Sequence, residues 1–326
     1  MILALCARTA GAQELDCQHR ALPVAVRDEQ NLPIQNISAA DFEAKVRGKP
    51  IKILSLTPDT RPHRLVLILD TSGSMGSVDG ESPLFSLESV LARHFFEVNR
   101  QKTQIALLTF NNDITEIIDF AQGNSAVRDK LGQIVTDQNY VRANVKGKTA
   151  LRDAIIEGLQ LLVHPSSADA LYVLTDGGDN ASKHSSRDVT QRLAVTSVRL
   201  FAVVLKGKGS YRTRAPEELS GPGELSEIAL KSGGEILSAA EWHGKQLALS
   251  ADPEGKLKSQ ETLLRLYQAI LGDNLLEIEL PTPLARNEHW ELKLSETARR
   301  RWKGAQITYP KTLVSCTAEV SGSGRH

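Results

Sequence analysis

Three short stretches of this chain carry side chains suited to a hard cation. Asp70-Thr71-Ser72-Gly73-Ser74 offers a carboxylate and two hydroxyls at alternate positions. Gly147-Lys148-Thr149 offers a third hydroxyl, and Asp176-Gly177-Gly178-Asp179 a second carboxylate. Asp70, Ser72, Ser74, Thr149 and Asp176 are all oxygen donors, with no sulfur or imidazole among them. That is the preference of Mg²⁺, with Mn²⁺ or Ca²⁺ as alternatives; Mg²⁺ binds at about 2.0–2.1 Å in near-octahedral geometry and keeps several waters. Neutral hydroxyls as direct ligands leave such an ion electron-poor and attractive to an incoming carboxylate. Each piece has a plainer reading: Asp70 as a strand-end cap, Thr149 as a helix N-cap, Ser-Gly-Ser as a tight turn. All five at strand ends together favour the metal.

The elements that must position them are legible. Leu65–Leu69, Ile105–Leu108, Leu171–Leu174 and Leu200–Leu205 are continuous apolar runs, as in strands covered on both faces. Helical patterns lie between them. Leu84, Leu87, Val90, Leu91, Phe95 and Val98 recur on one face, and Leu151, Ala154, Ile155, Leu159 and Leu162 do the same. A further helix holds Leu225, Ile228 and Ala229 and ends at Gly233-Gly234, and a last one is expected around Gln260 to Leu271. Alternating strands and helices predict an α/β, doubly wound, mainly parallel sheet. Its ligand groups gather at the carboxyl ends of the strands, where Asp70 and Asp176 stand. On either side the pattern turns to short alternating strands: Leu22–Arg27, Phe42–Val46 and Ile51–Leu56 before, Leu275–Leu280, Trp290–Leu294 and Ala305–Tyr309 after. Each flank of about 50 residues is marginal for a core of its own. The expected organisation is a signal-peptide remnant over 1–12, an N-terminal β segment over 13–62, the α/β unit over 63–272, and a C-terminal β segment over 273–326 that pairs with the N-terminal one.

Asp70-x-Ser72-x-Ser74, followed by Thr149 and then Asp176, resembles the metal-ion-dependent adhesion site of the von Willebrand factor A domain in order, spacing and strand context. The resemblance covers about 64–240. It implies direct metal contact by Ser72, Ser74 and Thr149, and contact largely through water by Asp70 and Asp176. It also implies a vacant coordination position that takes an acidic residue of a partner protein. The flanks, Ala25–Phe42 with Gly48–Ile53 and Trp290–Tyr309, are similar to those of bacterial von Willebrand factor A-related domain proteins, which are predicted to be exported. Two features depart from the usual pattern. Met75–Pro83 separates the metal motif from its helix and carries Asp79 and Glu81, and Lys148 stands where glycine is common. Specificity is expected from the loops 75–83, 111–113, 141–149 and 177–188.

Other residues read as structural. Asp113 and Asp179 are expected in turns, and Asp153 is expected to support the site or to lie on the surface. Arg299–Arg301 with Lys303 reads as a solvated face. Of 326 residues, 39 are Lys or Arg and 39 Asp or Glu, so there is no basic excess of the kind nucleic-acid binders use. No run approaches the roughly 18 apolar residues of a membrane-spanning helix. The N-terminal Met1–Gln13, with small Ala10-Gly11-Ala12, reads as the tail of a signal peptide and predicts an extracytoplasmic protein. Cys17 and Cys316 are then a natural disulfide pair. The expectation is a metal-dependent, adhesion-type binding protein that captures an Asp or Glu of a partner protein, and not an enzyme. The alternatives are a scaffold protein whose metal only stabilises the fold and, more remotely, a serine hydrolase built on Ser72-Gly73-Ser74-Met75-Gly76 with His184 or His243. In the latter, Ser72 replaces the first glycine of a nucleophile elbow.

Overall fold

The computed structural model describes residues 17–29, 32–34, 36–61, 63–76, 84–101, 103–205, 216–238 and 274–315. The segment read as a signal-peptide remnant, most of the 75–83 loop, the helix expected near 260–271, His243 and Cys316 lie outside the described residues.

Two sheets carry the fold. The first has six strands in the order β6-β5-β4-β7-β8-β9. These are β4 (His63–Asp70), β5 (Thr103–Phe110), β6 (Ile114–Ile118), β7 (Ala170–Thr175), β8 (Arg199–Val204) and β9 (Ile236–Ser238). All neighbours pair in parallel except β5 with β6. Helices α1 (Leu84–Asn99) and α2 (Gly123–Thr136) cover one face, with the short α3 (Gln138–Asn144) after them. Helices α4 (Leu151–Leu161), α5 (Ser186–Thr196) and α6 (Pro216–Ser232) cover the other. Side chains alternate along each strand. Leu65, Leu67 and Leu69 therefore enter one core with Phe85, Phe95 and Leu131, while Val66 and Ile68 enter the other with Leu151, Ile155 and Leu225. This double burial explains why the sequence shows continuous apolar runs.

The helical stripe of α1 differs from the expected one. Leu91 and Phe95 are buried as expected, but Val98 is 41 % exposed and the buried face also takes in Phe85, Glu88, Ala92, Phe96 and Asn99. Phe95 stacks on Tyr172 of β7.

The second sheet is antiparallel and has seven strands, in the order β12-β1-β10-β3-β2-β11-β13. Its members are β1 (His19–Arg27), β2 (Phe42–Val46), β3 (Lys49–Pro58), β10 (Asn274–Glu279), β11 (Glu288–Leu294), β12 (Gln306–Thr308) and β13 (Thr312–Leu313). A short helix, α7 (Glu296–Arg301), follows β11. Strands from both flanks interleave, β1 with β10 and β2 with β11, as the hydrophobic alternation requires. One face buries Val24, Phe42, Val46, Leu276, Ile278, Trp290 and Leu292. The sheets are tied together where the Ser167 hydroxyl donates to the Ala21 carbonyl of β1 and where the Lys311 N–H donates to the Lys231 carbonyl.

Candidate metal centre

The central strand β4 is the switch point of the six-stranded sheet: the chain leaves it toward β5 on one side and returns to β7 on the other. Open α/β sheets leave a crevice at such a point, at the carboxyl ends of the strands. Asp70 closes β4, and Asp176 follows β7 directly.

Asp70 and Ser72 are fully buried, Thr149 is nearly so, and Ser74 and Asp176 are half-buried. The Ser72 N–H donates to Asp70 Oδ1 at 2.8 Å, which folds the motif back on its own carboxylate. The hydroxyls of Ser72 and Ser74 lie 3.1 Å apart. Thr175, the last residue of β7, donates its hydroxyl to Asp70 Oδ2 at 2.5 Å. The loop bearing Thr149 is held against this turn by two backbone bonds: Gly73 N–H to the Gly147 carbonyl at 3.0 Å, and Lys146 N–H to the Thr71 carbonyl at 2.9 Å. Thr149 is also clasped by the segment after Asp176. Its N–H donates to Asn180 Oδ1, and its carbonyl accepts from the N–H groups of Asn180 and Ala181, all at 3.0 Å. The three predicted stretches thus meet at one edge of the sheet.

The electrostatics of the site are unbalanced. The Asp70 carboxyl is pushed up to about 7, first by burial and then by repulsion from Asp176, against the hydrogen bonds from Ser72 and Thr175. No cation is among the groups acting on it. Glu88, on the buried stripe of α1, accepts the Asp70 N–H at 2.7 Å, while its other oxygen has no hydrogen-bond partner. Burial first, and Asp70 second, hold Glu88 well above the ordinary carboxylate range. Buried like charges are costly unless a counter-charge is supplied. Among the described residues no three His, Cys, Asp or Glu side chains are grouped to hold a metal. A set of two acids and three hydroxyls does not require such a group. The donors fit a hard divalent ion, which would offset the carboxylate repulsion.

Of the residues read as structural, Asp179 accepts the Arg152 N–H at the start of α4 and the Ser182 hydroxyl. Asp113 lies in the β5–β6 turn, where its N–H donates to Asn111 Oδ1. Asp153 accepts the N–H groups of Lys183 and His184 and bonds His184 Nδ1 at 2.7 Å. It therefore organises the loop beside the site. Sequence reasoning passed over Glu88, Thr175 and Asn180. Glu88 alone left a signal: it falls four residues after Leu84 and three before Leu91, an acid inside an apolar stripe.

Residues 65–178 match the family model of the von Willebrand factor type A domain. Among curated proteins, none matches the sequence. Several solved structures are similar at low identity. Conserved hypothetical protein BatB from Bacteroides thetaiotaomicron is 15 % identical, with a TM-score of 0.40, over 63 % of this chain and 99 % of that one. An aerotolerance-related membrane protein from Bacteroides fragilis is 15 % identical, with a TM-score of 0.41, over 64 % and 98 %. A von Willebrand factor type A protein from Catenulispora acidiphila is 10 % identical, with a TM-score of 0.43, over 92 % and 75 %.

Proposed function

We infer that this protein is a metal-dependent binding module that captures an acidic residue of a partner protein. The observation that carries this reading is the convergence on Asp70: a fully buried carboxyl that accepts the Ser72 N–H and the Thr175 hydroxyl, with the Ser72 and Ser74 hydroxyls 3.1 Å apart and the Thr149 loop bonded to the same turn. Mg²⁺, with Mn²⁺ or Ca²⁺ as substitutes, would be held by Ser72, Ser74 and Thr149, with Asp70 and Asp176 acting largely through water. When bound, the ion offers a Lewis-acidic position to a carboxylate. The chain's own residues fix the hydroxyls, hold the acids in place and exclude water from the inner side. This is the chemistry of capture, without turnover.

The compartment belongs to the same proposal. Cys17 is disulfide-bonded, its partner cysteine lying outside the described residues. Structural disulfides persist mainly in oxidising compartments, which favours an extracytoplasmic site of action. Among the described residues no helix is long and apolar enough to cross a membrane.

The test begins with titration calorimetry of Mg²⁺ into the full chain, where no uptake of Mg²⁺ or Mn²⁺ would end the reading. Proteins retained by the immobilised protein with Mg²⁺ and released by EDTA are then identified by mass spectrometry. Asp70→Ala and Thr149→Ala should both abolish capture. If they lower only the melting temperature while capture persists, the metal is a structural staple and partners dock elsewhere.

A further inference from the structure

Helix α6 breaks a local rule. Its interior contains Ser220-Gly221-Pro222-Gly223, yet the helix runs without interruption from Pro216 to Ser232. Proline there lacks the N–H that would bond to the preceding turn, and each glycine loses more backbone freedom on folding than any other residue. Such a conflict between sequence and local structure persists where something outside the element requires it.

The requirement lies at the loop after β7. A Cβ on Gly221 would stand 2.0 Å from the Gly177 carbonyl oxygen and 3.3 Å from Gly178 Cα. A Cβ on Gly177 would stand 2.9 Å from Pro222 Cγ. Gly177 also has φ of +88°, in the left-handed region that favours glycine. Backbone therefore meets backbone, with only the proline ring between them. The contacting residues follow Asp176 directly, and the Gly178 N–H donates to Asp176 Oδ1 at 3.0 Å. Gly223, two residues further along the helix, faces open space with nothing within 4 Å. The other end of α6 is pinned. Ser232 Oγ accepts the Leu200 N–H at 2.9 Å, the Lys231 carbonyl accepts the Lys311 N–H at 3.1 Å, and Gly233 backs onto Pro310. A helix anchored in this way offers the loop a fixed seat.

We propose that Gly221 and Pro222 are positioning residues of the metal centre: they seat the Asp176–Gly178 loop, so that α6 sets how well Asp176 serves the ion. This rests on the reading of Asp176 as part of a Mg²⁺ site. Gly221→Ala puts a methyl where the Gly177 carbonyl lies and must push the loop away. Pro222→Ala removes the ring against which Gly177 leans, and also removes a helix breaker. Gly223→Ala brings the same gain in helix propensity as Gly221→Ala, but into empty space.

The experiment uses the full chain and three readouts: Mg²⁺ affinity by calorimetry, metal-free melting temperature, and hydrogen exchange of the 176–182 peptide. Gly221→Ala should weaken Mg²⁺ binding by about tenfold or more, the usual scale for losing support of a ligand, and should speed exchange in the peptide. Pro222→Ala should weaken binding severalfold while its melting temperature holds or rises. Gly223→Ala should match the wild type in affinity and exchange. Wild-type affinity and exchange in both Gly221→Ala and Pro222→Ala would overturn the proposal. If Gly221→Ala fails to fold, Pro222→Ala against Gly223→Ala decides alone. If the wild type takes up no Mg²⁺, the metal reading fails, and the exchange comparison still decides whether α6 seats the loop.

Discussion

In the antiparallel sheet, charged side chains stand opposite partners of the other sign. Glu43 lies across from Lys293, Lys45 from Glu291, and Lys52 from Glu279, the last pair 2.7 Å apart. In the six-stranded sheet the middles of β4, β5, β7 and β8 carry no charge at all. There the acids Asp70 and Glu88 are buried at the carboxyl edge, where burial raises both carboxyls. The first arrangement is a solvated face that resists mispairing and needs nothing further. In the second, burial and mutual repulsion favour the neutral acids, and perturbed carboxyls of this kind cluster at functional sites.

The largest expected effect tests the frame that holds these acids. Leu67→Ala, in the middle of β4, should cost about 2–5 kcal/mol by denaturant unfolding, because its side chain is fully buried. Leu54→Ala, 39 % exposed in β3, should stay within about 0.5 kcal/mol. Equal losses at the two positions would erase the contrast between the sheets.

A second effect, of middling size, concerns pH. The ordinary Asp70 value is 3.8 and the folded value about 7. Between them Asp70 binds more proton in the metal-free folded state than in the unfolded state, so its own contribution to stability falls as pH rises through this window; above about pH 5 the lowered carboxyls Asp59, Asp153, Asp188 and Glu288 no longer oppose it. The slope should be on the order of 1 kcal/mol per pH unit. Mg²⁺ competes with the proton, so the gain in melting temperature at saturating Mg²⁺ should grow from pH 4 toward pH 7. A gain that shrinks with rising pH would remove the proposed metal site from the comparison.

The smallest effect sharpens the other side. Lys45→Glu sets two acids opposite each other on the antiparallel sheet and should cost less than about 1 kcal/mol. Adding Glu291→Lys should restore most of that loss, and added salt should shrink the difference. A large, salt-insensitive loss would mean that this face is covered.

Much of the site was legible because its chemistry is local. Asp70, Ser72 and Ser74 lie within five residues, and the Ser72 N–H to Asp70 bond closes within that turn. Asp176 was placed by the apolar run of β7, since a strand covered on both faces announces its own carboxyl end, and Thr149 by the amphipathic helix that starts two residues later. The support was less legible. Glu88 marked itself only as an acid in an apolar stripe, and Asn180 reaches Thr149 across 31 positions.

The sequence by itself determined the four doubly covered strands, the helices α1, α4 and α6 and most of the flanking strands, because burial on one face or two writes its period into neighbouring residues, whereas α2, α5 and the edge strands β6 and β9 went unread. Only the tertiary structure decided the rest. It left Val98 at the end of α1 exposed and buried Phe85 and Phe96 in its place, since packing against the sheet outweighs simple periodicity. It carried α6 through Gly221-Pro222-Gly223 against local preference, since a neighbouring backbone needs that space. It also wove strands from both ends of the chain into one sheet, with Arg47 meeting Glu288 across 241 positions. Pairings at such separation are chosen by the complementarity of whole surfaces, which no local window of residues contains.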